Sequence, residues 1–214
     1  MAFVLAEHLG MMARTVDNLE RDGKPAKAVI ASRVFDTDAA DLWDALTSPE
    51  RLKRWFAPVS GELKLGGRFQ VENNAGGTIT ACERDRHIAA SWEFGGGISW
   101  IEIDLLPEGD GTRLELRHIA HVDPHWDMFG PGAVGVGWDL AFMGLARHVA
   151  EPQAARPAEA EEGWFATEEA RDMIRTASDG WGAAALGAGE DRDKALASAE
   201  ATRRFYTGEA MPEA

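Results

Sequence analysis

Apolar side chains recur at helical spacing between Gly130 and Ala150, after a glycine-rich segment. One stripe has the spacing of a helix face that lies on a core, and it consists of Val134, Trp138, Ala141, Phe142, Leu145 and Val149. A second apolar edge lies roughly opposite the first, and it consists of Val136, Leu140 and Met143. Because an exposed apolar edge usually has a cover, we expect the C-terminal part of the chain or another subunit to lie on it.

Upstream of this predicted helix, apolar and polar residues alternate in short segments separated by turn-forming residues. Such alternation predicts antiparallel strands with one buried and one exposed face. The predicted strands are 28–35, 68–72, 78–83, 89–94, 98–106 and 112–121. Asp110-Gly111 predicts a hairpin turn before the last strand, in which Leu116 and His118 share the buried face.

Two short helices are predicted after the first strand. Asp36-Thr37-Asp38 supplies helix-capping residues ahead of Leu42, and Ser48-Pro49-Glu50 begins a second helix that ends at Phe56. The residues before Lys24 fit two alternatives, a short apolar helix or a hairpin, and both stay open.

The order of these elements predicts an α+β fold of the helix-grip type. Several spaced motifs accompany it: Phe35-Asp36 into 42–47, then 49–56, Gly66-Gly67-Arg68-Phe69, Trp92-Glu93-Phe94 and 110–114. In these motifs the chain resembles the SRPBCC superfamily (START-like or Bet v1-like), in particular its branch related to the C-terminal domain of the Hsp90 ATPase activator. The resemblance extends over roughly residues 28–149. It implies a curved antiparallel sheet wrapped on a long C-terminal helix, with a groove between them that holds apolar ligands in such families; some members are cyclases or hydrolases.

The chain is expected to divide into an N-terminal extension (1–25), a helix-grip domain (26–150) and an acidic helical extension (151–214). Residues 151–160 are rich in proline, alanine and glutamate, which is typical of a linker. The extension is predicted to contain two helices, joined by a glycine- and alanine-rich connection. These helices are 163–178 and 192–206, and the connection is 180–189.

The net charge of −14 argues against nucleic-acid and anionic-membrane partners, because both bind basic surfaces. No apolar run approaches the roughly 20 residues of a membrane span. Cys82 is the lone cysteine, which excludes an internal disulfide and suits a reducing compartment. We therefore expect a cytoplasmic protein without a membrane span.

Inward-facing positions of the predicted sheet and helices are the candidates for a ligand pocket, although most of them would also serve as plain core. They are Trp55, Phe56, Phe69, Val71, Ile79, Trp92, Phe94, Ile101, Leu116, His118, Trp138 and Phe142. The chain has eight tryptophans, and tryptophan suits a pocket wall because it combines a large rigid ring with one N–H donor.

His118 is the polar candidate on the buried face. A buried imidazole binds a ligand oxygen, acts as a general base, or is simply bonded to a neighbour in the core. Glu93 and Glu102 fall on the exposed face by the same parity, so they are not paired as acid and base.

No metal site is expected, although His118, His121, His125 and Asp127 lie close together in sequence. Residues three apart on a strand point to opposite faces, so His118 and His121 do not both face one ion. The following segment, from Asp123 on, is expected to be a loop.

Gly130, Gly132 and Gly135 match the spacing of a dinucleotide-binding loop, but no βαβ unit surrounds them. No cofactor is therefore expected. The glycines are interpreted as a bend into the long helix that also permits close packing.

These patterns predict binding of a small hydrophobic or aromatic ligand in the groove, and they favour a non-enzymatic role. Two alternatives stay open: a cyclase- or hydrolase-type enzyme that uses His118, and a co-chaperone-like protein-interaction module. The acidic extension would then dock a partner or form a homodimer.

Overall fold

The structure, a computed structural model, describes residues 5–154 and 163–211. The helices in these ranges are α1 (Leu5–Gly10), α2 (Ala39–Thr47), α3 (Pro49–Trp55), α4 (Pro124–Phe129), α5 (Gly132–Ala150), α6 (Glu168–Gly187) and α7 (Arg192–Thr207). The strands are β1 (Ala13–Arg21), β2 (Lys24–Phe35), β3 (Val59–Gly61), β4 (Arg68–Val71), β5 (Gly76–Glu83), β6 (His87–Phe94), β7 (Gly97–Glu108) and β8 (Gly111–His121). None of these helices combines the length and the hydropathy that crossing a membrane requires.

The strands form one curved antiparallel sheet in the order β1-β2-β8-β7-β6-β5-β4-β3. From β3 to β8 each strand pairs with the next one in sequence, as in a meander. The 19-residue helix α5 follows the sheet. The predicted α+β helix-grip architecture is therefore confirmed.

A two-residue loop sets the register between β7 and β8. Glu108 pairs with Gly111, so the loop residues are Gly109-Asp110 and the predicted Asp110-Gly111 turn is wrong by one position. Gly109 has φ +59°, a left-handed conformation that favours glycine. This register places Ile101 directly opposite His118.

The N-terminal segment combines both alternatives left open by the sequence. Helix α1 is followed by a β1–β2 hairpin that turns at Asp22-Gly23. Both loop residues have positive φ, 52° and 72°, which matches the right-handed twist of the strands that they join. Residues 1–4 lie outside the described residues.

The described residues fall into two compact units. The terminal unit comprises the described parts of Met1–Ala31, His121–Met143 and Pro157–Ala214, and the central unit comprises those of Ser32–Ala120 and Gly144–Arg156. Strand β2 and helix α5 contribute residues to both units.

In the terminal unit, the C-terminal helices cover the glycine-rich start of α5. A Cβ atom on Gly135 would lie 2.3 Å from Trp181 Cε2, and one on Gly132 would lie 2.8 Å from the Thr202 side chain. Gly130 has φ +57° where the chain turns into α5. The interpretation of these glycines as a bend with close contacts is confirmed, while the expected cover of the edge formed by Val136, Leu140 and Met143 stays a prediction.

The segment predicted to connect the two C-terminal helices is itself helical, because α6 extends to Gly187. Glycine costs about 1 kcal/mol in a helix interior. The contacts of α6 offset this cost, since a Cβ on Gly182 would lie only 3.0 Å from the Ala199 Cβ of α7. Small residues thus let α6 and α7 approach closely. Of the predicted linker, residues 155–160 lie outside the described residues.

In the central unit, α2 and α3 follow the predicted caps. The backbone N–H of Asp41 donates to Asp38 Oδ1 at 2.8 Å, and the indole N–H of Trp55 donates to the Ala45 carbonyl at 3.0 Å. A Cβ on Gly144 would lie 2.5 Å from the Trp55 carbonyl oxygen. The second half of α5 therefore lies directly against the end of α3.

Helix α4 occupies the segment that was expected to be a loop. Asp123 caps it by accepting from the Trp126 backbone N–H at 2.8 Å, and Pro124 occupies the first helical turn. The same cap-and-proline pattern correctly predicted α3 at Ser48-Pro49, so the signal was present here as well.

Candidate functional site

The inward face of the central strands carries most of the predicted pocket residues. Directly opposite residues of an antiparallel pair share a face, and the register places Trp92 opposite Ser99 and Ile101 opposite His118. The buried members of the predicted set in the central unit are Val71, Ile79, Ile101, Leu116 and His118. Their burial agrees with the inward orientation, while their role in binding stays a prediction.

Phe69 and Trp92 are only half-buried, although they adjoin this closed part of the face. Their ring centroids are 6.1 Å apart, and the Trp92 ring stands edge-on to the His118 ring at 6.4 Å. The inward face is therefore closed around Ile101 and Leu116 and open at its aromatic end.

Ser99 forms a polar pair with His118 at this open end. The Ser99 hydroxyl donates to the Trp92 carbonyl at 3.1 Å, and Ser99 Oγ lies 2.9 Å from His118 Nε2. A hydroxyl carries one hydrogen and a carbonyl oxygen only accepts, so His118 Nε2 is the donor to Ser99. Sequence reasoning missed Ser99, although strand alternation places it on the same face as Ile101, two residues earlier in β7.

Burial lowers the pKa of His118 from 6.5 to about 4. The imidazole is thus neutral at physiological pH, which agrees with its role as an Nε2–H donor to Ser99. A neutral imidazole with so low a pKa is a weak general base.

The pH dependence of stability tests this assignment. Because the folded-state pKa of His118 is depressed, its contribution is present above pH 6.5 and is lost as the pH falls towards 4. At about 1.4 kcal/mol per pKa unit, wild type is expected to lose roughly 3 kcal/mol of unfolding free energy over this interval relative to His118→Gln. Urea unfolding at several pH values measures the difference. His125→Gln, at an exposed position, is the control and should follow wild type, whereas parallel curves for wild type and His118→Gln would contradict the assignment.

Phe94, predicted as a pocket residue, is 63% exposed. It lies at the end of β6 opposite Gly97, which provides no side chain to pack beside it. Trp55 and Phe56 lie at the end of α3, half-buried, with ring centroids 5.5 Å apart. The indole N–H of Trp55 is already bonded to the Ala45 carbonyl, so the ring offers a ligand mainly apolar surface.

Trp138 and Phe142 belong to the terminal unit, in the first half of α5. Trp138 is half-buried and Phe142 is buried. Their participation in a groove stays a prediction from the helical spacing.

His118 and His121 lie on β8, whereas His125 and Asp127 lie on α4. In the part of the chain that the structure describes, no cluster of three or more histidine, cysteine or acidic side chains has a geometry suited to a metal ion. His125 stacks on Phe129 with centroids 4.8 Å apart, and Asp127 accepts from Lys194 Nζ at 3.1 Å.

A second buried polar group, not predicted from the sequence, lies in the terminal unit. Asp139 of α5 accepts from Arg14 Nε at 3.0 Å and from the Trp181 indole N–H at 3.0 Å. Burial raises the pKa of Asp139 to about 6, although both hydrogen bonds and the charge of Arg14 oppose this shift. These contacts connect β1, α5 and α6.

Comparison with known proteins identifies the central part of the chain. Residues 36–150 match the family model described as Activator of Hsp90 ATPase homolog 1-like protein. The curated proteins include no match to the chain.

CalU16 from Micromonospora echinospora is similar in both its crystal and solution structures. The crystal structure gives a TM-score of 0.65 at 28% identity and covers 84% of this chain and 99% of CalU16. The solution structure gives a TM-score of 0.69 at 29% identity, with coverages of 83% and 96%. Protein MLL2253 from Mesorhizobium loti shares the fold, with a TM-score of 0.53 at 20% identity and coverages of 59% and 98%.

The CalU16 match extends beyond the residues that match the family model. Its 84% coverage of 214 residues corresponds to about 180 residues, more than the 115 residues of the range 36–150. CalU16 thus shares part of the chain outside that range. Since the family model matches more than half of the chain, the protein belongs to the family of Activator of Hsp90 ATPase homolog 1-like proteins, within the SRPBCC superfamily.

Proposed function

We propose that this protein binds a small apolar or aromatic molecule in the groove between the sheet and the long helix. The main support is the open aromatic end of the inward face. The rings of Phe69 and Trp92, 6.1 Å apart, remain half-exposed, whereas Ile101 on the same side of the sheet is buried. Apolar rings with a few placed polar groups are the usual lining of a small-molecule site.

Fluorescence titration with N-phenyl-1-naphthylamine, an apolar dye, tests the proposal. Wild type is expected to bind the dye with one saturable site, and Trp92→Leu is expected to weaken binding about tenfold, equivalent to about 1.4 kcal/mol. Phe205→Leu is a matched control, because Phe205 is 59% exposed on α7 in the terminal unit. Absence of saturable binding to wild type, or equal weakening by both variants, would contradict the proposal.

The neutral state of His118 favours binding over hydrolysis or cyclisation. A general base works best with a pKa near the operating pH, and the pKa of His118 lies well below it. His118 would therefore be a poor general base for converting the Ser99 hydroxyl into a nucleophile. The enzymatic alternative and the co-chaperone alternative both stay predictions from the sequence.

The contacts of the C-terminal extension support an intramolecular role. Trp181, Ile174 and Ala177 of α6 are fully buried within the same chain. The homodimer through residues 151–214, the division of the chain at residues 25 and 150, and the cytoplasmic location stay predictions from the sequence.

A further inference from the structure

The polar pair at the open aromatic end restricts the chemistry of a ligand bound there. Ser99 shares the inward face with Trp92 and is half-exposed, whereas its partner His118 is 4% exposed. A molecule lying on the Trp92 ring would therefore meet the Ser99 hydroxyl before it met the imidazole.

The hydrogen of the Ser99 hydroxyl is already donated in a hydrogen bond. Ser99 Oγ donates it to the Trp92 carbonyl oxygen at 3.1 Å, and His118 Nε2 donates to Ser99 Oγ at 2.9 Å. A hydroxyl oxygen accepts two hydrogen bonds, and among the described residues His118 provides one of them. The second acceptor position of Ser99 Oγ is available to a donor on a ligand, not to another acceptor.

Charged groups of the same strands lie on the other face. Glu102 of β7 lies directly opposite Arg117 of β8 in the strand register. These two residues are next in sequence to Ile101 and His118, so they lie on the opposite face of the sheet. Glu93, next to Trp92 in β6, accepts from Arg68 at 3.0 Å. Beside Trp92, the inward positions Ser99 and Ile101 of β7 and His118 of β8 thus offer a ligand a hydroxyl and uncharged side chains.

We propose that Ser99 is the specificity-determining acceptor of this site, and that its ligand is a neutral aromatic molecule with a hydroxyl or N–H donor, of the phenol type. The assignment rests on the proposed binding function. His118 acts here as a positioning residue, because its N–H holds the Ser99 oxygen in place.

Displacement of N-phenyl-1-naphthylamine by three matched compounds tests the assignment, with the dye affinity measured for each variant. The compounds are 2-naphthol, which donates a hydrogen bond, 2-methoxynaphthalene, which only accepts, and naphthalene, which does neither. Wild type is expected to bind 2-naphthol about three- to tenfold more tightly than either of the others. Ser99→Ala is expected to abolish this preference, while Ser60→Ala, at an exposed position on β3, retains it.

The outcomes separate this assignment from the proposed function. If wild type binds all three compounds equally, or if Ser99→Ala retains the preference, the role of Ser99 is wrong and apolar binding stands. If wild type binds neither the dye nor any of the three, both proposals are wrong.

Discussion

Replacing Trp181 by alanine is expected to lower the free energy of unfolding by about 3–5 kcal/mol. Trp181 is 0% exposed, and its ring fills the space over Gly135 in α5. Its indole N–H also donates to the buried carboxylate of Asp139. The substitution therefore leaves a cavity and removes a hydrogen bond from a buried charge. Urea unfolding monitored by circular dichroism measures the loss.

Two further variants separate these contributions. Trp181→Phe retains most of the ring but not the N–H donor, so it should cost about 1–3 kcal/mol. Leu186→Ala removes a large apolar side chain that is 39% exposed on the same helix, and it should change stability by no more than about 0.5 kcal/mol. If Trp181→Ala were as mild as Leu186→Ala, the extension would not support α5 as described.

Replacing Arg14 by methionine is expected to cost about 3–5 kcal/mol at pH 8 and clearly less at pH 5. Arg14 and Asp139 form an ion pair with a 3.0 Å contact, in which the Asp139 side chain is 0% exposed. The pKa of Asp139 is raised to about 6, so its stabilising contribution is complete below pH 3.8 and is lost as the pH rises through 6. Without the Arg14 cation the pKa of Asp139 rises further. In Arg14→Met the free energy of unfolding therefore continues to fall above pH 6.

The double variant Arg14→Met/Asp139→Asn is the control for the charge. It removes the titrating carboxyl, so the pH-dependent part of the cost should disappear while any loss of packing remains. Thermal unfolding at pH 5 and pH 8 is sufficient for the comparison. An equal cost of Arg14→Met at both pH values would show that Asp139 is not a buried carboxylate held by Arg14.

Local patterns were sufficient to predict the architecture. Alternation identified the main strands, and cap-and-proline signals identified α2 and α3. They worked because each signal depends on neighbouring residues only. One failure arises where tertiary contacts decide: α6 runs through its glycines because Gly182 lies against Ala199, a contact that the sequence alone does not show. Helix α4 was missed although its local cap-and-proline signal was present.

The candidate site was predicted less completely. Parity correctly placed His118 on the buried face, but it also placed Phe94 there, and the strand end leaves Phe94 exposed. Ser99 was missed because its role depends on a contact with His118, 19 positions away in sequence. The Arg14–Asp139 pair joins residues 125 positions apart, which no local pattern connects.

The most direct test of ligand binding at the aromatic end is a set of intermolecular nuclear Overhauser effects from bound 2-naphthol in isotope-labelled protein. We expect contacts from the naphthol ring protons to the side chains of Phe69, Trp92 and Ile101. Contacts confined to other side chains, at saturating 2-naphthol, would contradict it.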